Sequence, residues 1–365
     1  METSIMTDKM ILVRGGGDLA TGVIHKLHQS GYHILILECD RPSAIRRHVA
    51  FCEAVYDGTS EVEGVVCRRI PETEIPAQCR RCWEKGEIPL LTDTEGKHIR
   101  ELSPAAVIDA ILAKKNLGTN RDMAPVTVGL GPGFTAGEDV DYVIETMRGH
   151  NLGRIIKEGS ALPNTGVPGL IAGIGKERVI HSPAAGEMKN ISRIVDIVEK
   201  DQIIAMVGDV PVKATISGVI RGLIRDGYPV FKGMKIADID PRAEQKKNCF
   251  TISDKARCIA GGVLEVLLSC GILPDTTTEK NYKQAGLCHE QKRKRSSDSC
   301  FYRRRRKNQS DLLSGKKIFQ SGKTCDRDNN HPHGMGTEAS FCRCRGYRGT
   351  LPAYRTIWIC DCGET

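Results

Sequence analysis

No apolar run in this 365-residue chain approaches the ~18 residues of a membrane span, and its first residues carry no signal-peptide pattern. Those two absences predict a cytoplasmic protein with no membrane partner. Cys79-Arg80-Arg81-Cys82 is a lone CxxC; zinc would need two more ligands and no metal is expected. With the intervening arginines redox chemistry is the alternative, and chance spacing is the preferred reading. No convincing acid/base constellation marks an enzyme. Charge is also missing from most of the chain. The formal net charge is +8, but the last 95 residues hold 19 Lys and Arg against 10 Asp and Glu, a net of +9. Subtraction leaves 34 against 35, a net of −1, for residues 1–270. A nucleic-acid partner would rest on the tail alone, and none is expected.

The tail (271–365) has neither helical nor strand periodicity and reads as disordered. Its text makes better sense one base later. Shifted, residues 302–310 permit Ile-Gly-Ala-Gly-Gly-Lys-Thr-Ser, a glycine-rich turn followed by Lys and a hydroxyl, the chemistry of a phosphate-cradling loop. The same shift gives sensible text across roughly fifty residues. The recovered strings resemble the YqeC family, accessory proteins of selenium-dependent molybdenum hydroxylases. The segment is therefore expected to be a frameshift product, the shift lying between Gly271 and Arg293.

Chemistry concentrates near the start. An apolar strand (10–13) runs into Arg14-Gly15-Gly16-Gly17-Asp18-Leu19-Ala20, then a helix over 23–30, then a strand over 34–37 ending in Glu38. This is G-x-G-x-x-A opening a βαβ unit, with an acid about twenty residues on. Gly15 permits the tight turn, Gly17 lets backbone approach a phosphate beside Asp18, and Ala20 allows close helix–strand packing. Glu38 is placed to accept from a ribose hydroxyl. A dinucleotide such as NAD or molybdopterin dinucleotide is the candidate cofactor. The same pattern fits a doubly wound domain whose first turn holds no nucleotide, and Glu38 as a solvated strand end. Arg46 and Arg47 follow early in an expected helix, either binding an anion or facing solvent. A second glycine-rich turn, containing Gly131 and Gly133, follows a strand at 126–130 and precedes an expected helix over 139–147. In a parallel sheet both turns fall at the carboxyl edge, where ligands dock.

Short Val/Ile-rich segments then alternate with Gly, Asp and Pro, as short strands do. They repeat every 32 residues: Gly186 matches Gly218, Arg193 Arg225, Val198 Val230, Lys200 Lys232, Ile204 Ile236 and Ala205 Ala237. The pattern resembles the flattened barrel of biotinyl and lipoyl carriers. Met188-Lys189 is like the biotinylated pair of those carriers but directly follows Gly186 instead of sitting in their later hairpin, so modification is not expected. Finally, Ala256, Ile259, Ala260, Val263, Leu264, Leu267 and Leu268 form one stripe of a helix with Ser253 as its N-cap.

The predicted fold class is α/β. A Rossmann-like parallel-sheet domain occupies 10–175, a barrel-sandwich hybrid 176–245 and a helix packing on the first domain 246–270. Residues 13–21 with 46–56, 129–137 with 164–169, and 212–242 with 253–256 together resemble the YqeB family of the selenium-dependent molybdenum hydroxylase system. That resemblance implies a maturation factor whose partners are a molybdenum hydroxylase client or other accessory proteins. A nicotinamide-dependent oxidoreductase using Gly15, Gly17 and Glu38 is the alternative.

Overall fold

The computed structural model describes residues 9–166 and 169–274. Residues 275–365, and with them the expected frameshifted tail, lie outside the described residues.

The largest element is a nine-stranded sheet, ordered β10-β9-β7-β6-β1-β2-β5-β4-β3. Its strands are β1 (Ile11–Arg14), β2 (Ile34–Glu38), β3 (Thr59–Val62), β4 (Val65–Arg69), β5 (Ile88–Thr92), β6 (Ala106–Asp109), β7 (Val126–Leu130), β9 (Tyr142–Ile144) and β10 (Ile155–Ile156). The seven from β9 to β4 run parallel, and β10 and β3 close the two edges antiparallel. Ile11, Leu12 and Val13 are all buried, as a central parallel strand requires of an unbroken apolar run. Helix α1 (Asp18–Gln29) covers one face together with α3 (Asp254–Ser269), while α2 (Ile75–Glu84) carries Ile75, Cys79 and Cys82 into the core on the other. The mixed α/β class expected from the sequence holds.

Two expected helices are absent. The chain passes through β8 (Thr135–Ala136), which pairs antiparallel with β11 (Gly159–Ser160), and residues 142–144 of the expected helix form β9 instead. Asp139 accepts from the Thr135 N–H at 2.8 Å and Asp141 from the Thr127 N–H at 2.9 Å. Short acidic side chains that bind nearby backbone compete with helix formation. After Arg46 there is no continuous helix but two 3₁₀ turns, Arg47–Val49 and Phe51–Glu53, and one short α-helical turn, Ala54–Asp57.

Residues 179–240 form two four-stranded antiparallel sheets around their own core. One is ordered β12-β19-β17-β14 and the other β16-β15-β13-β18. These strands are β12 (Val179–His181), β13 (Gly186–Asn190), β14 (Ile197–Val198), β15 (Ile203–Val207), β16 (Val210–Lys213), β17 (Gly218–Leu223), β18 (Pro229–Val230) and β19 (Lys235–Asp240). Adding 32 to the first residues of β13, β14 and β15 gives those of β17, β18 and β19, and β12 falls on β16 to within one residue. The repeat thus carries each sheet onto the other, an approximate two-fold relation. Its matched apolar pairs, Val198 with Val230 and Ile204 with Ile236, all lie in this core.

This lobe is fastened to the segment after β2. The Leu223 N–H donates to the Ile45 carbonyl at 2.8 Å, Arg47 Nε to the Leu223 carbonyl at 2.9 Å, and Arg225 pairs with Glu53 and Asp57.

Candidate functional site

Chain direction reverses where β1 ends. Its neighbours β2 and β6 leave to opposite sides, making the carboxyl end of β1 the switch point where open parallel sheets bind ligands. Gly15 sits there at φ +95°, and a Cβ would lie 3.0 Å from the Ala110 carbonyl oxygen, so both backbone and space demand glycine. The Gly16 N–H donates to Glu38 Oε2 at 2.7 Å and the Cys39 N–H to Oε1 at 2.8 Å. Glu38 is therefore no solvated strand end. Each of its oxygens takes one N–H, leaving lone pairs for a further donor.

Gly17 is different in kind. It is the N-cap of α1 with ordinary φ, −68°, no side chain caps the helix, and a Cβ would meet nothing within 4 Å. Open space therefore lies before the free N–H groups and positive dipole end of a twelve-residue helix. Ala20 is fully buried beneath the turn.

The remaining expected site residues are occupied by the protein itself. Arg46 is only 6% exposed. Its Nη1 reaches Asp18 Oδ2 at 3.0 Å, and its Nη2 donates to the Asn248 and Thr251 carbonyls, each at 3.1 Å. Arg47 holds the Leu223 carbonyl and lies 3.8 Å from Glu53. Both fasten chain segments together rather than face solvent. At Gly131 (φ +79°) a Cβ would stand 2.5 Å from Thr146 Oγ1, and at Gly133 (φ +112°) 2.7 Å from the Lys115 backbone. These two glycines admit neighbouring chain. Cys79 and Cys82 are buried, and burial pushes the Cys79 thiol up to about 12, the opposite of a reactive thiolate. Among the described residues no three His, Cys, Asp or Glu side chains are grouped to hold a metal.

Sequence reasoning missed two lysines. Lys235 begins β19, exposed, and Lys255 lies half-buried in the first turn of α3; the Asp18 carboxylate acts on both. Partial burial lowers both ammonium groups from their ordinary value; for Lys235 the Asp238 carboxylate acts the other way, against Arg178 and Arg221, and for Lys255 Arg148 lowers it while Asp18 and Glu145 raise it. No local motif announces them, because 20 positions of chain separate the pair and over 200 separate them from Asp18.

No family model matches the chain. The product-bound ectoine utilization protein EutE (DoeB) of Ruegeria pomeroyi aligns at 10% identity and a TM-score of 0.17, over 63% of this chain and 56% of that one. An aspartoacylase family protein of Mesorhizobium loti aligns at 11% and 0.22, over 63% and 84%. Likeness this low carries no argument about fold or function. Sequence says more. The uncharacterized protein YqeB of Escherichia coli K12 is 48% identical over 260 residues, 71% of this chain and 47% of that protein. The chain thus spans about half the length of the curated relative it matches. Across the stretch they share, the chain is a homologue of YqeB, which supports placing it in the YqeB family.

Proposed function

We propose that this protein is an accessory factor in the maturation of selenium-dependent molybdenum hydroxylases, holding a nucleotide or a molybdenum-cofactor dinucleotide at the glycine turn after β1. The system is the one its sequence resemblance implies, and homology to YqeB is consistent with it. The observation that carries the ligand class is the uncapped start of α1, where Gly17 leaves open space at the switch point. A phosphate there would accept from the first-turn N–H groups. Glu38, joined to the loop through the Gly16 N–H, would accept from a ribose hydroxyl on the β2 side. The two-sheet lobe, read as a barrel-sandwich hybrid, would dock the hydroxylase client or a second accessory protein.

Mass spectrometry of small molecules released from the purified protein tests this. The expected species is a pterin or adenine dinucleotide in near-stoichiometric amount, or saturable binding of one by the apo protein. Protein that releases none and ignores NAD and molybdopterin dinucleotide in calorimetry would count against the assignment.

A further inference from the structure

The two copies of the 32-residue repeat bind each other through equivalent backbone atoms. The Val195 N–H donates to the Ile220 carbonyl at 2.8 Å; 32 residues on, its equivalent Gly227 donates to Met188, the equivalent of Ile220, at 2.7 Å. The Asp201 N–H donates to the Ala214 carbonyl and its equivalent Gly233 to Ser182, both at 2.8 Å. A face on one copy therefore has a twin on the other. The second-copy face carries the clasp to the segment after β2. A Cβ on Gly222 would lie 3.1 Å from the Ile45 carbonyl oxygen. Leu223 is 0% exposed, and Ile45 packs against the core it belongs to. Arg225 pairs with Glu53 and Asp57 and lies 4.5 Å over the Tyr56 ring. Its partners thus come from one short helical stretch, two carboxylates four residues apart with an aromatic ring between them.

On the first copy, Asn190, Ile191 and Arg193 hold the places of Gly222, Leu223 and Arg225. Ile191 is 60% exposed. Arg193 is exposed, and its guanidinium makes no hydrogen bond or ion pair among the described residues. The two acids beside it are turned to backbone. Asp196 accepts from the Arg193 N–H at 2.8 Å, and Asp226 from the Asn190 N–H at 2.6 Å. The Ile191 N–H is spent on the Ile204 carbonyl at 3.0 Å, so this face offers side chains and not a free strand edge. What it offers is one large apolar group and one guanidinium without a counterion. A guanidinium takes carboxylates by charge-assisted hydrogen bonds and an aromatic ring by its face, and its twin Arg225 does both.

We propose that the first-copy face, through Ile191 and Arg193, docks a partner protein by an acidic helical turn with the chemistry of residues 53–57. A second copy of this chain does not offer that turn, because its own Arg225 holds it. The proposal rests on the docking role given above to the two-sheet lobe, and not on the dinucleotide. Affinity for the turn falls with ionic strength, as the pairing of exposed charges requires.

The probe is a fluorescently labelled peptide of residues 41–58 of this chain, titrated by anisotropy into wild type, Ile191→Ser and Arg193→Glu. Wild type is expected to bind it saturably. Arg193→Glu should weaken binding by about tenfold or more, since it reverses the charge that meets the carboxylates, and Ile191→Ser should weaken it too. Glu53→Gln and Asp57→Asn together in the peptide should match the loss seen with Arg193→Glu. Thermal midpoints of both protein variants should stay at the wild-type value, because neither side chain is buried or paired. A peptide that wild type ignores overturns the face. So does one bound equally well by Arg193→Glu, which has displaced the chain's own segment from Arg225. Dimers in sedimentation velocity that Arg193→Glu abolishes would overturn the foreign partner and give the face to a second copy. No dinucleotide enters the titration, so its failure leaves the ligand reading standing. Arg193-dependent peptide binding by a protein that ignores every dinucleotide does the reverse.

Discussion

At the scale of single residues, the three glycines after β1 do three separable jobs, and substitutions tell them apart. Gly17→Val places its branched side chain in open space at an ordinary φ. The fold should survive with a thermal midpoint within a few degrees of wild type, while dinucleotide binding is lost; calorimetry beside a melting curve reads both. Gly15→Val should instead fail to fold well, since its backbone and the Ala110 carbonyl both refuse a side chain. Glu38→Ala gives a mixed result: removing the acceptor of the Gly16 and Cys39 N–H groups should cost roughly 1–3 kcal/mol of stability, readable in urea, before any ligand is considered. The glycine motif was legible because its logic is local: six residues dictate one turn. Arg46 was not, since Asn248 and Thr251, whose carbonyls it holds, lie at the far end of the folded chain. Nothing in a short window distinguishes a clasp from a ligand arginine.

Among elements, α1 and α3 cross closely. A Cβ on Gly22 would lie 2.6 Å from the Ala256 Cβ, so the helices pack with almost nothing between them. Gly22→Val should destabilise by roughly 1–3 kcal/mol through overpacking. Ser253 caps α3 by accepting from the Ala256 N–H at 3.2 Å, and Ser253→Ala should cost about 1 kcal/mol. Urea unfolding with unchanged slope measures both, and a Gly22→Val protein as stable as wild type would contradict the close crossing. Both α3 and its cap were readable, because sixteen residues with a 3.6-residue apolar stripe leave little ambiguity. Residues 139–147 were not: β9 is three residues long, too short for its period to show. The side-chain bonds of Asp139 and Asp141 that decide against a helix reach back to Thr135 and Thr127.

For the whole molecule, the 32-residue repeat announced two matched halves, but not that equivalent strands would lie in opposite sheets. Pairing partners are set by long-range closure, which a spacing does not encode. The join between this lobe and the segment after β2 runs through Arg225, which pairs with Glu53 at 2.9 Å and with Asp57. The two carboxyls titrate oppositely. The hydrogen bond from Arg225 holds Asp57 below its ordinary value, so its stabilisation is complete above about pH 4 and lost as pH falls through the folded value. Burial, the larger influence, raises Glu53 despite Arg47 and Arg225. Its folded form thus gives up stability as pH rises through ionisation, and Arg225 limits that loss. Both effects make Arg225 matter more at neutral pH than in acid. Arg225→Met should therefore lower the thermal midpoint markedly at pH 7, where the largely buried Glu53 carboxylate keeps only the more distant Arg47. The deficit should shrink steadily as the buffer is taken below about pH 4 and both carboxyls protonate. Differential scanning of the two proteins across that range measures it. A deficit of equal size at pH 7 and pH 3 would mean that Arg225 acts through packing, including its stacking 4.5 Å over the Tyr56 ring, and not through charge.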